Sequence, residues 1–321
     1  MNLKEKYLFI KKKSKVDYQI SKKFGIKYGL TDYLATVVFR EKSEIGKKYF
    51  YAHHELVKAY LLKKYGYLLD GYVQTGERIS STGNVWLFWW QGLNEDTPIV
   101  VKKCIDSIIA NAGDTKVIII DQDNYSKYVS IPDYIMSKLD RKQITLTHFS
   151  DILRMALLSE YGGIWMDATL FMVEKFPRDM ENYTIYSIKH NKFSDYHVCK
   201  GKWSGFFLAC GENNSALKLF RDFFYEYWKN EDSLITYFLI DCIIAICYEN
   251  INEIRTAIDI MPTNNENVFE LQNNLFNNYN EEEYLKMKIN THIFKLSWKL
   301  DFSSDNEGSF YNKLINNQQN N

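Results

Sequence analysis

The sequence predicts an α/β fold with a mainly parallel central sheet, preceded by a helical region. Apolar runs of strand length, in TGNVWLFWWQG, KVIIIDQDN and GGIWMD, sit beside glycine or aspartate turns. Segments with helical spacing separate them. The β-α-β-α-β order down to Asp167 is that of a parallel, nucleotide-binding sheet, with ligands expected at the carboxyl ends of the strands. Composition sets the bounds. The 321 residues are 46% hydrophobic, enough for one large core. Lys+Arg and Asp+Glu stand at 40 each, so no basic field points to nucleic acid. Five cysteines without framework spacing read as free thiols in a reducing compartment. The start lacks a signal peptide's apolar segment, and no apolar run reaches the roughly 18 residues that span a bilayer. A cytoplasmic protein is expected.

Residues 1–80 form a lysine-rich helical region, expected either to present a solvated face or to touch an anionic membrane surface. His53-His54 reads as a surface pair, because adjacent residues do not share a helix face. Residues 81–300 form the α/β domain, and residues 301–321 a tail ending in NNQQNN that is expected to be disordered. In the first strand Trp90, Gln91 and Gly92 fall at the ligand edge. Thr97-Pro98 reads as N-cap and first residue of a helix running to about Ala112. Asp121-Gln122-Asp123 is either a turn or a rival metal site. IPDYIMSKL reads as a short helix and QITLTHF as a strand.

The stretch 150–171 carries the most chemistry. Asp151 and Arg154 share one face of an otherwise apolar helix with Ser150 as its N-cap. Gly162-Gly163 ends that helix, and Asp167 closes the strand after it. Beyond lie strands in YTIYSIKH and GFFLAC, then an amphipathic helix capped by Asn214. In a second helix Asp241 stands alone in an apolar run, where a carboxylate needs a partner or a purpose. A polar loop with His190, His197 and Trp203 is a candidate acceptor contact. Asn264 to Asn280 reads as a loop. In THIFKLSWK, alternation puts Lys295, Ser297 and Lys299 on one side.

The pattern S-D-I-L-R followed by L-L-x-x-Y-G-G-I-W-x-D resembles the bacterial capsular polysaccharide synthesis proteins, relatives of glycosyltransferase family 32, from about Val85 to Trp298. That resemblance implies a GT-A fold, a retaining mechanism, a nucleotide-sugar donor (a UDP-sugar foremost), a glycan or lipid-linked acceptor, and a divalent metal, Mn²⁺ or Mg²⁺. The family's usual D-x-D reads Asp167-Ala168-Thr169 here, without its second carboxylate. Asp167, Thr169 and His292 are the expected metal ligands. Trp90, Gln91, Asp151, Arg154, Gly163, Trp165, Asp167, Lys295, Ser297, Trp298 and Lys299 are the expected donor contacts. Asp241, Asp151 and Arg154 are the expected catalytic groups. No P-loop or dinucleotide motif occurs. Two alternatives stay open: a metal-dependent hydrolase or phosphodiesterase using Asp121, Asp123 and Asp167, and a non-catalytic component of a synthesis complex.

Overall fold

The computed structural model describes residues 3–40, 43–192 and 196–316. Three helices come first: α1 (Leu3–Phe24), α2 (Ile26–Tyr33) and α3 (Glu44–Tyr65). Ser43 caps α3 by accepting from the Gly46 N–H at 3.0 Å. Both His53 and His54 are buried, contrary to the surface expectation. Adjacent side chains diverge, but α3 is covered on more than one side, so each finds an interior. His53 Nδ1 lies 3.1 Å from the Tyr28 carbonyl oxygen. The His54 ring lies edge-on to Phe50 and Phe238. Burial pushes both imidazoles down from their ordinary value.

The α/β part continues with β1 (Asn84–Phe88), α4 (Ile99–Asn111), β2 (Lys116–Ile120), α5 (Asp133–Asp140), α6 (Leu146–Tyr161), β3 (Gly163–Asp167) and β4 (Leu170–Met172). Then come β5 (Ile185–Ser187), β6 (Phe207–Cys210), α7 (Ser215–Asn230), α8 (Leu239–Asn250), α9 (Asn252–Asp259), α10 (Glu270–Asn273), α11 (Glu281–Lys288) and β7 (Ile293–Lys295). The five-stranded sheet has the order β2-β1-β3-β6-β5. Its pairings β1–β2 and β1–β3 are parallel; β3–β6 and β5–β6 are antiparallel. The sheet is therefore mixed rather than mainly parallel. Buried on both faces, β6 reads as a continuous apolar run whichever way it points.

Two expected boundaries move. QITLTHF is no strand: Thr145 caps α6, its hydroxyl accepting from the His148 N–H at 3.2 Å. Phe149, Ile152 and Leu153 then keep helical spacing into the core. Ser150 therefore sits within the helix, and its hydroxyl donates to the Thr147 carbonyl at 2.9 Å. At α4 the cap falls on Pro98, held extended at ψ 138°, while the Thr97 hydroxyl accepts from the Asn94 N–H.

Gly163 opens β3 at φ +91°, and a Cβ there would stand 2.4 Å from the Asn84 carbonyl oxygen. No other residue fits that approach. A smaller core joins Val100, Leu271, Phe294, Leu296, Phe310 and Ile315, so the chain near residue 315 is packed. The last five residues of NNQQNN lie outside the described residues. Among the described residues, no helix is long and apolar enough to cross a membrane.

Candidate active site

Parallel pairing aligns Phe88 with both Ile120 and Asp167, so the carboxyl ends of β1, β2 and β3 share one edge. The antiparallel pair β4–β7 brings residues distant in sequence to that edge, with Leu170 opposite Lys295. Asp167 is the hub. Its Oδ1 accepts from Arg154 Nη2 at 3.2 Å and from Trp165 Nε1 at 3.1 Å. Its Oδ2 accepts from Lys295 Nζ at 2.7 Å, and the same ammonium donates to Thr169 Oγ1 at 2.8 Å. Burial pushes the Asp167 carboxyl up, but Lys295 and Arg154 together outweigh it and hold the group below the ordinary carboxylate value.

Arg154 is 3% exposed. Its Nη1 lies 3.1 Å from Asp151 Oδ1, and its guanidinium carbon lies 4.9 Å from the centre of the Trp165 ring. Gly205 leaves the guanidinium room: a Cβ there would come within 3.1 Å of Nη1. Trp228 Nε1 donates to His148 Nε2 at 2.9 Å. The neutral ring then carries its hydrogen on Nδ1, 3.6 Å from Asp151 Oδ2.

A cavity of about 600 Å³ opens over Asp167. Phe88, Trp89, Trp90, Trp165 and Trp298 form its aromatic walls; Gln91, Thr169, Lys295, Ser297 and Lys299 supply polar groups. The Trp89 and Trp298 rings meet edge to face at 6.0 Å. The Ser297 N–H donates to Gln272 Oε1 at 2.7 Å, and Ser297 Oγ accepts from the Lys299 N–H at 3.2 Å. Beside it lies a second cavity of about 310 Å³, sharing the wall residue Phe269 and lined by Asp241, His190, His197 and Trp203. Asp241 accepts from Trp203 Nε1 at 2.9 Å. Burial pushes its carboxyl up to about 7 against that hydrogen bond.

Residues 38–314 match the family of capsular polysaccharide synthesis proteins. The chain belongs to that family. Over 112 residues it is 30% identical to the O-glycosyltransferase braB of Annulohypoxylon truncatum, a match covering 32% of this chain and 27% of that relative. Among solved structures it is similar to PaToxG glycosyltransferase, with a TM-score of 0.36 at 15% identity, covering 64% of this chain and 83% of the other.

In this capsular polysaccharide synthesis family member, most of the expected donor contacts gather at one edge: Trp90, Gln91, Trp165, Asp167, Lys295, Ser297, Trp298 and Lys299 all line the larger cavity, as does Thr169, expected as a metal ligand. Asp151 and Arg154 are not among its lining residues; Asp151 pairs with Arg154, whose guanidinium in turn meets Asp167 and the Trp165 ring. Gly163 stands at the opposite end of β3, roughly 13 Å from Asp167 at a strand's rise per residue. His292 does not line the cavity, and its Nδ1 is 2.7 Å from Glu174 Oε2. The expected ligands Asp167, Thr169 and His292 thus do not converge, and the first two already hold the Lys295 ammonium. Asp121 Oδ1 accepts from the N–H groups of Asp123 and Asn124, which makes D-Q-D a turn. Asp121 also lies two strand spacings, about 10 Å, from Asp167. Among the described residues, no group of three His, Cys, Asp or Glu side chains could hold a metal. The residues present do not fit a divalent ion.

Sequence reading missed Tyr237, Phe269 and Gln272 in the cavity wall. Phe269 and Gln272 fall in the asparagine-rich stretch taken as a loop. That stretch contains α10 and the buried Asn265, whose Oδ1 accepts from the backbone N–H groups of His292 and Ile293 at 2.8 and 2.9 Å. The asparagines fix β7 in place rather than marking slack chain.

Proposed function

We propose that this chain is a retaining glycosyltransferase of GT-A type. It moves a sugar from a nucleotide-sugar donor, a UDP-sugar foremost, to a glycan or lipid-linked acceptor in capsular polysaccharide synthesis. The observation that carries this reading is the Arg154–Asp167–Lys295 cluster opening into an aromatic cavity at the carboxyl edge of β3. That volume lies within the usual range for small-molecule sites. Trp89 or Trp90 stacks on the nucleobase, while Lys295, Ser297 and Lys299 face the diphosphate. In transfer, the bond from the sugar's anomeric carbon to the β-phosphate oxygen breaks, with its electron pair leaving on the phosphate. A new bond forms to the acceptor oxygen, whose proton departs on the phosphate. Asp241 faces the smaller cavity, where it orients the acceptor.

The hydrolase alternative needs Asp121 beside Asp167, and the sheet separates them. Thermal shift with UDP-, GDP- and CMP-sugars, each with and without Mn²⁺, tests the donor reading. One donor should raise Tm by several degrees in wild type and leave Asp167→Ala unmoved. If no donor moves wild type, the reading falls. A non-catalytic role predicts instead that Asp167→Ala leaves capsule synthesis intact. A membrane role for α1 rests on Tyr7, Leu8 and Phe9, which are exposed among its lysines.

A further inference from the structure

We infer that Lys295 takes the place of a divalent cation, so that donor diphosphate is bound and neutralised without metal. The inference rests on the donor-site reading above. Its basis is the position of one ammonium. Lys295 Nζ lies 2.7 Å from Asp167 Oδ2 and 2.8 Å from Thr169 Oγ1, the two oxygens a cation in this motif would take. An ammonium has three N–H bonds; these contacts use two and leave the third for a ligand oxygen in the cavity that Lys295 lines. The other Asp167 oxygen is held by Arg154 and Trp165.

Charge counting agrees. Asp151 and Asp167 balance Arg154 and Lys295, and Lys299 at the cavity wall makes the site net positive. A divalent ion here would face one carboxylate and two cations. A diphosphate faces two lysines, which outnumber that single carboxylate. Nor is Lys295 a loose surface side chain. Its backbone N–H donates to the Val268 carbonyl at 2.7 Å, the Leu296 N–H donates to the Thr169 carbonyl at 2.9 Å, and Asn265 clamps the start of β7. The strand register sets the ammonium where it stands.

Calorimetric titration of full-length protein with UDP, GDP and CDP, in EDTA and separately in Mn²⁺, decides the matter. At least one diphosphate should bind with affinities agreeing within about twofold between the two buffers. Lys295→Ala should weaken that binding at least tenfold in EDTA, and Lys295→Arg should restore part of it. Binding that appears only with Mn²⁺ overturns the inference and leaves the donor reading standing. Absence of binding in both buffers overturns both. The wild-type comparison needs no variant to fold.

Discussion

At the scale of single residues, the site depends on a buried guanidinium that touches no cavity surface. Arg154 holds two carboxylates; removing it leaves Asp151 without its cation, while Asp167 keeps Lys295 and Trp165. Arg154→Ala should lower stability by about 3–5 kcal/mol, the range for breaking one partner of a buried ion pair, as read by urea denaturation. Asp241 gives the opposite kind of signal. Its folded-state pKa near 7 lies above the ordinary carboxylate value. The folded chain therefore binds this proton more tightly than the unfolded one. The stabilisation is fully present below the unfolded pKa and fades as pH rises through about 7. Tm of wild type should fall relative to Asp241→Asn between pH 4 and 7; parallel profiles would show that Asp241 ionises like an exposed group. Asp167, Arg154 and Asp241 were legible in the sequence because charge inside apolar periodicity demands a partner. The identity of the partner was not: Lys295 reaches Asp167 across 128 positions, and no local pattern encodes that meeting.

At the scale of elements, β7 matters most and was the hardest to read. It is three residues long, and its place depends on asparagines whose abundance looks like low complexity. Asn265→Ala removes the acceptor for two backbone N–H groups and should cost about 1–3 kcal/mol. Hydrogen exchange at His292 and Ile293 should speed up, and diphosphate affinity should fall with it. Exchange unchanged at those amides would show that pairing with β4 alone holds the strand. The helix α6 shows the reverse difficulty. Its core was plain from apolar spacing, but its start looked like a strand, because four residues of alternation fit either period until Thr145 is seen to cap. His292 misled because a histidine near a carboxylate motif suggests a ligand, whereas Glu174, just past the partner strand β4, engages it.

At the scale of the whole molecule, the alternation of strands and helices along the chain could be read, but the direction of every strand could not. Alternation of helices and strands marks the parallel β2-β1-β3 half of the sheet. The apolar runs of β5 and β6 carry no sign of orientation, so the antiparallel half emerged only from pairing. The N-terminal helices pose a separate question of surface chemistry. If α1 docks on membrane, the intact protein should co-sediment with vesicles containing anionic phospholipid and release when salt is raised toward 0.5 M, where screening shortens to a few ångströms. Retention by neutral vesicles at high salt would point to Tyr7, Leu8 and Phe9 alone. Gly205 has a wider consequence. Its backbone lies outside the left-handed region, but an alanine methyl there would stand 3.1 Å from Nη1, so the Arg154 guanidinium must give by a few tenths of an ångström. That position is a fine adjustment screw on the electrostatic field around Asp167, turned without altering a single ionisable group.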